Sequence, residues 1–406
     1  MAELDLTATR QHQRRLPVAA RIAIIYIAAR VITTLFLLLA AGMSTPNSRF
    51  GASPSLSDFV VGWDATWYWF AAVNGYPSDL PLTPSGDVAE NAWAFMPLFA
   101  FAASGLGAVL GSWGAGALAL SLLGGYGACL ALYALLRPQL ERTAALWAVV
   151  FFACGPLAAL FQVGYAESLF LCFLFAALWC LQHARYAWLY LLIPLMGFTR
   201  PGVLAFALLL GLYGVWRWVK RADAPFPTRE AIHLGMLAAW AIIVGFSWQV
   251  IAGIVTGDSG AYLATELAWR RNWIGDATAQ FVPFEGFAQA SAFWFRTWGL
   301  GDVTGSVALV ALVAGAAALL LFEPHVRRLG VVVRLWSASY LLYLLAVFFP
   351  QSSIFRLLVP LSPLWGAMAV PRSTVWRVGV LAAALLGQWW WIYNMYGLGN
   401  AFWQIP

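Results

Sequence analysis

Ile22-Ala23-Ile24-Ile25-Tyr26-Ile27-Ala28-Ala29-Arg30-Val31-Ile32-Thr33-Thr34-Leu35-Phe36-Leu37-Leu38-Leu39-Ala40-Ala41 is an apolar run broken by a single charge. At about 1.5 Å of rise per helical residue it is long enough to cross a hydrocarbon layer roughly 30 Å thick. It is too long for the apolar region of a signal peptide, and similar runs follow it, so it reads as an uncleaved first span. Arg10, Arg14, Arg15 and Arg21 precede it and place its N-terminus in the cytoplasm, the side on which basic loop residues accumulate.

The remainder of the 406-residue chain repeats this pattern. It is 62% hydrophobic and 10% charged, with a mean hydropathy of +0.76, whereas soluble domains have roughly 45–50% apolar and about 25% charged residues. An all-α polytopic membrane protein is expected, forming a single domain over 1–406 with no soluble module left over. The net charge of +6 does not point to nucleic acid, because the arginines fall in short loops between spans, where they orient a membrane protein. Cys129, Cys154, Cys172 and Cys180 all lie within predicted spans without paired spacing, and read as small buried apolar residues. His12, His183, His233 and His325 show no ligand spacing, so no metal site of the histidine type is expected.

Further spans are expected over roughly 143–160, 167–184, 186–198, 202–219, 231–256, 303–322, 333–350, 355–370 and 376–397. The stretch 93–136 is broken at Gly111-Ser112-Trp113-Gly114. One net crossing there, with a re-entrant or interfacial helix beside it, keeps Arg137, Arg142, Arg185, Arg217, Lys220, Arg221, Arg229, Arg327, Arg328, Arg372 and Arg377 on the cytoplasmic side. The bundle then has about eleven transmembrane helices with its C-terminus outside. Asp58, Asp64, Asp79, Asp87, Glu90, Glu167, Asp258, Glu266, Asp276, Glu285 and Asp302 all fall on the opposite, external side. Most belong to two long loops, 43–92 and 257–302, and long loops in compact folds are often functional.

The first loop, expected to carry interfacial helices, holds Gly62-Trp63-Asp64-Ala65-Thr66-Trp67-Tyr68-Trp69. Indole and phenol rings favour the headgroup level, and an aspartate held among them is placed for chemistry at a membrane surface. A helix from Asp64 to Asn74 would put Trp63, Trp67 and Phe70 on one face, anchored in lipid, and Asp64 and Tyr68 on another. A solvated helix cap is the ordinary alternative for Asp64. Glu167, in Tyr165-Ala166-Glu167-Ser168, opens a span on the same side, where a helix dipole alone would favour a carboxylate. Arg200, in Thr199-Arg200-Pro201-Gly202, and Arg356, after Gln351-Ser352-Ser353, stand beside broken helix ends and suit a phosphate group, or serve as ordinary turn residues. In the second loop, Tyr262-Leu263-Ala264-Thr265-Glu266-Leu267-Ala268-Trp269-Arg270-Arg271 reads either as an acceptor-site lining or as an interfacial helix. Arg30, well inside the first span, calls for a partner within the bundle.

Trp63-Asp64, Phe95-Met96-Pro97-Leu98, Tyr165-Ala166-Glu167-Ser168-Leu169-Phe170 and Thr199-Arg200-Pro201, in this order, resemble the landmarks of PIG-V-type mannosyltransferases, members of the GT-C superfamily of polyprenyl-phosphate-sugar-dependent glycosyltransferases. The resemblance covers the first half of the chain. The second half matches more loosely, through Ser353-Ile354-Phe355-Arg356 and the long loop. Eukaryotic members carry a small polar residue and Asn after the arginine, where this chain has Pro201-Gly202, a departure that bears on acceptor recognition.

The resemblance implies a GT-C-like bundle and a mannose donor on a polyprenyl phosphate, transferred with inversion to a lipid-linked or glycan acceptor. Asp64 would be the general base and Glu167 a second acid. Arg200 and Arg356 would hold the donor phosphate, and Trp63, Tyr68, Tyr165, Tyr262, Trp269 and Arg270 would contact substrate. An aspartate of ordinary pKa, about 3.9, is ionised at neutral pH and able to accept a proton. No cofactor is called for, with divalent-metal dependence left open. The alternatives are a transporter or flippase of a lipid-linked sugar, favoured only by Arg30, and a GT-C enzyme for another sugar. Abundant Ala, Gly, Arg and Trp with the single lysine Lys220 point to a bacterial plasma membrane, the active face outward.

Overall fold

Apolar periodicity and helix punctuation set the element boundaries in the computed structural model, which describes residues 16–275 and 280–406. Arg10, His12, Arg14, Arg15 and Asp276 therefore lie outside the described residues. The helices are α1 (Val18–Met43), α2 (Leu56–Val60), α3 (Asp64–Asn74), α4 (Pro97–Leu110), α5 (Trp113–Leu136), α6 (Arg142–Ala153), α7 (Glu167–Gln182), α8 (Tyr186–Gly197) and α9 (Val203–Val219). They continue as α10 (Thr228–Thr256), α11 (Ala261–Ile274), α12 (Glu285–Thr297), α13 (Asp302–Phe322), α14 (Pro324–Arg327), α15 (Val331–Val347), α16 (Ile354–Leu357), α17 (Trp365–Ala369) and α18 (Thr374–Ile392). Among the described residues there is no strand beyond an isolated bridge between Leu82 and Val88. Ser112 and Ser373 cap α5 and α18 through their hydroxyls, Pro97 sits at the first position of α4, and Gly257 closes α10 in the left-handed region.

The exposed surfaces of these helices are as apolar as their buried ones. On α1, Ile22, Tyr26, Ala29 and Leu37 face the bundle while Ile24, Ile27, Val31 and Leu35 face outward. On α13, Val303, Val307, Val310 and Leu312 are exposed. An outward apolar face of this kind has hydrocarbon as its surroundings. Five described helices, α1, α5, α9 with its terminal turn, α10 and α13, are long and apolar enough to cross a membrane, and five shorter apolar helices accompany them.

Helix lengths alone do not establish the expected count of eleven spans, and one expected span takes another form. Residues 355–370 form no continuous helix. They break into α16, a 3₁₀ segment Val359–Leu364 and α17, because Pro360 and Pro363 each lack a backbone donor. The carbonyls freed there find donors on α15: Trp336 Nε1 donates to Pro360 at 2.9 Å and the Tyr340 hydroxyl to Leu357 at 2.8 Å. The broken stretch 93–136 is a hairpin in which α4 packs along the first turns of α5. Trp113 Nε1 donates to the Ala100 carbonyl at 3.1 Å, and a Cβ on Gly116 would lie 2.1 Å from the Ala103 carbonyl oxygen.

The two long loops interlock on one face of the bundle. Asn91 Nδ2 donates to Thr265 Oγ1 at 2.8 Å, Asn272 Nδ2 to Glu90 at 2.7 Å, and Arg271 to the Val88 carbonyl. The C-terminal segment joins the same face, where Arg49 N donates to Leu398 O at 2.8 Å and Trp63 Nε1 to Met395 O at 2.9 Å. The pairs Arg217–Glu230, Lys220–Asp223 and Arg372–Glu141 lie on other connections.

Arg30 is accounted for locally. Its guanidinium donates to the carbonyl of Ala153, the last residue of α6, and to that of Ala158, which opens the 3₁₀ turn beyond it, and lies over the rings of Tyr26 and Phe161. A helix terminus inside the bundle leaves acceptors without partners, and a buried arginine satisfies them. The four cysteines are free thiols.

Candidate functional site

Trp63 sets the direction of α3. Its φ of +53° is unusual for a bulky residue, a conformation costing about 1–3 kcal/mol that surrounding contacts must hold. Those contacts are its indole bond to Met395, the Arg49 guanidinium 4.1 Å above its ring, and an edge-on contact with Phe50. The turn aims the first residue of α3, Asp64, into the bundle. The Asp64 backbone N–H donates to the Tyr165 hydroxyl at 3.4 Å. The stretch carrying Tyr165 is itself tied down by Gly164 N to Val60 O at 2.8 Å and Ser121 Oγ to Val163 O at 2.7 Å.

Four charges from distant parts of the chain meet here. Arg356 Nη1 is paired with Asp64 Oδ2, and its Nε lies 3.4 Å from Glu167 Oε1. The same Glu167 oxygen lies 2.9 Å from Arg200 Nη1. The result is a chain Asp64–Arg356–Glu167–Arg200 in which cations and anions alternate. Glu167 begins α7 and is 3% exposed, Arg200 follows α8 and is 9% exposed, and the Asp64 side chain keeps 26% of its exposure. Asp64 is thus the open end of the chain and Glu167 its buried pivot. A Cβ on Gly124 would come within 2.9 Å of the Leu169 backbone, so a residue without a side chain lets α5 lie against the turn of α7 that presents Glu167.

Burial pushes the Asp64 carboxyl above the ordinary aspartate range, with Arg356 opposing the rise and Glu167 adding to it. This corrects the expectation of an unshifted acid. A raised carboxyl is still a base once ionised, and a stronger one.

All four expected charged residues come together, and Tyr165 lies beneath them with the Arg356 guanidinium 5.4 Å from its ring. Tyr68 is buried on the Asp64 side of α3, packed edge-on against Phe95 and Phe99. The expected lipid anchoring of α3 by Trp63 and Trp67 is replaced by packing on protein. Trp67 stacks on Phe95 and meets Trp269 edge-on, while Trp69, Phe70 and Val73 form the exposed apolar face. Trp269 therefore reaches the site through its rings. Arg270 is engaged elsewhere: it donates to Gln280 O at 2.7 Å and to Gln289, lies 3.9 Å from Glu285, and braces α11 against α12. Its guanidinium is committed to these partners and takes no part in the ion-pair chain.

Two features were not singled out from sequence. An apolar cavity of about 600 Å³ runs between α6, α17 and α18, lined by Phe355, Leu358, Trp365, Gly387 and Trp390 among others. Its signal was present, since Phe355 and Leu358 flank Arg356, but the groove takes shape only where the proline-broken segment stands off from α18. The second is the setting of Glu266, half-buried on α11, which the sequence offered only as one member of the Tyr262–Arg271 stretch. Burial pushes its carboxyl up to about 7, with a Tyr262 hydrogen bond opposing.

No protein-family profile matches the chain, and no curated protein matches it in sequence. Among solved structures, crystal structures of an Archaeoglobus fulgidus oligosaccharyltransferase show a slight likeness. The complex with zinc and sulfate has a TM-score of 0.42 and 15% identity, covering 92% of this chain and 53% of that one. The form tethered to an acceptor peptide containing the NVT sequon gives 0.38 and 14% over 93% and 55%, and the apo form 0.37 and 13% over 93% and 56%. This chain thus spans about half the length of the protein it matches, and the likeness concerns the arrangement of helices alone.

Proposed function

We propose that the protein is an integral-membrane GT-C glycosyltransferase that transfers mannose from a polyprenyl-phosphate donor, with inversion, to a lipid-linked or glycan acceptor. One observation carries the reading: Arg356 pairs with a carboxylate, Asp64, while its chain neighbours Phe355 and Leu358 line an apolar groove. A lipid phosphate needs both an apolar channel for its chain and a cation at the channel's end.

In this reading the donor phosphate enters against Arg356 and Arg200 and takes over the Arg356 contact now made by Asp64. Released from that pair, the Asp64 carboxylate accepts the proton of the acceptor hydroxyl as its oxygen bonds to the anomeric carbon. The bond from that carbon to the phosphate oxygen breaks, and the departing polyprenyl phosphate keeps the electron pair, stabilised by the two guanidinium groups. Glu167 holds both arginines at a fixed spacing. Tyr68 and Tyr165 line the base, and Tyr262 and Trp269 approach from the second loop. The accompanying topology has eleven crossings in a bacterial plasma membrane, with the ion-pair chain facing outward.

A lipid-linked-sugar transporter loses its one supporting feature, since Arg30 serves helix-end carbonyls. The test is purified protein in proteoliposomes with polyprenyl-phosphate-mannose and, separately, the corresponding glucose and pentose donors. Formation of a new glycoside without net translocation supports the reading, and preference for a non-mannose donor would reassign the sugar. Translocation without bond formation would overturn it. Cysteines placed near Asp64 and near Arg221 should label from opposite sides.

A further inference from the structure

The proposed chemistry uses Asp64, Glu167, Arg200 and Arg356 and leaves one acid on the same face unassigned. Glu266 lies on α11, one helical turn after Tyr262 and three residues before Trp269. Its neighbours are rings rather than cations. Trp269 meets Trp67 at 6.0 Å and Phe95 at 5.9 Å between ring centroids, and Trp67 is three residues along α3 from Asp64. On the other side Tyr343 of α15 lies within electrostatic reach of the Glu266 carboxyl. Tyr343 adjoins Tyr340 at 6.3 Å, and Tyr340 in turn holds the carbonyl of Leu357, next to Arg356. Glu266 thus faces the hydroxyls of Tyr262 and Tyr343 and shares α11 with Trp269, and the ring contacts of Tyr343 and Trp269 lead toward the ion-pair chain.

Among the described residues Glu266 has no lysine or arginine at ion-pair distance. Arg270, the nearest cation on its own helix, is turned to Gln280, Gln289 and Glu285. From α15 it faces the Tyr343 hydroxyl, and from α11 the Tyr262 hydroxyl. The segment around Trp93 and α10 brings Trp248 and Met96, without charge, against the same helix. A half-buried carboxyl with no cation has unfilled acceptor capacity that only neutral O–H or N–H donors, or an incoming cation, can satisfy. Sugar hydroxyls supply such donors in adjacent pairs, and the C–H face of a sugar ring packs on aromatic rings.

We propose that Glu266, with Tyr262, Tyr343 and the Trp67–Phe95–Trp269 rings, forms the acceptor subsite, and that the acceptor presents a neutral glycoside whose hydroxyls donate to the Glu266 carboxylate. This rests on the glycosyltransferase reading and specifies its acceptor.

The test uses the full-length protein in lipid nanodiscs, with octyl α-mannoside as probe, by titration calorimetry and as acceptor in the transfer assay. A hydrogen bond to a charged group contributes about 1.5–3 kcal/mol, so Glu266→Gln should weaken probe binding and raise the probe KM by about 10-fold or more. The expected loss in kcat at saturating probe is smaller. Wild-type binding should weaken as pH falls from 8 to 6, while Glu266→Gln binding stays level. Tyr262→Phe, which keeps the carboxyl, should show a partial loss and retain the pH response.

Equal KM and an unchanged pH response in Glu266→Gln would overturn the subsite. Tighter binding of octylamine than of octyl mannoside would also do so, since it would assign the carboxyl to a cationic acceptor. Glycoside binding that depends on Glu266 in a protein that turns over no lipid-phosphate sugar would uphold the subsite and refute the transferase reading.

Discussion

Replacing Arg356 by glutamine removes the cation that Asp64 and Glu167 share and leaves the rest of the ion-pair chain in place. Two unit charges about 4 Å apart interact by about 4 kcal/mol at an effective dielectric of about 20. The Asp64 side chain keeps 26% of its exposure, and solvent screening lowers that figure. Burial already holds the Asp64 carboxyl above its ordinary range and Arg356 opposes that rise, so removing Arg356 moves the carboxyl further up. The base is its ionised form. Activity therefore falls as pH drops through the raised pKa, and the acid limb of the rate profile should shift to higher pH. Loss of a cation facing the departing phosphate should also lower kcat by about 10²–10³. The assay is transfer from polyprenyl-phosphate-mannose between pH 5 and 9, with Arg356→Lys as a charge-retaining control that should keep the wild-type acid limb. A glutamine variant within fivefold of wild type, with an unmoved acid limb, would refute the reasoning.

Gly387 lines the apolar groove, and a Cβ there would already lie 3.2 Å from Pro156. Gly387→Trp should raise the KM for a long-chain donor and affect a short-chain donor less, measured with donors of two chain lengths. Arg30→Leu keeps bulk but removes the guanidinium that donates to the Ala153 and Ala158 carbonyls, and a buried acceptor left unsatisfied costs about 1–3 kcal/mol. It should lower the thermal midpoint in detergent while leaving donor KM close to wild type.

Much of this arrangement was legible in the chain, for identifiable reasons. Spans such as α1 and α10 are readable because an apolar run in lipid must satisfy its own backbone and so must be helical. Asp64, Glu167, Arg200 and Arg356 stood out as charges at broken span ends. Their direct contacts did not, because Asp64 and Arg356 are separated by 292 positions and no local pattern records which charges will meet. The Trp63 ring was read as a lipid anchor because pattern gives amphipathicity but not the tertiary partner, here Met395 at the other end of the chain. Trp269 and Arg270 are adjacent on α11, and from sequence alone either could have faced the site. Packing of α11 on Phe95 and Trp67 turned Trp269 inward and Arg270 toward α12. The break at 355–370 was signalled by Pro360 and Pro363, but hydropathy averaged across them.

The central claim is that the Asp64 carboxylate takes the acceptor proton. It is tested most directly by single-turnover transfer from polyprenyl-phosphate-mannose in proteoliposomes containing Asp64→Asn, with donor binding measured in parallel. The account predicts retained donor binding and a transfer rate lower by about 10²–10⁴, whereas transfer within a fewfold of wild type would contradict it.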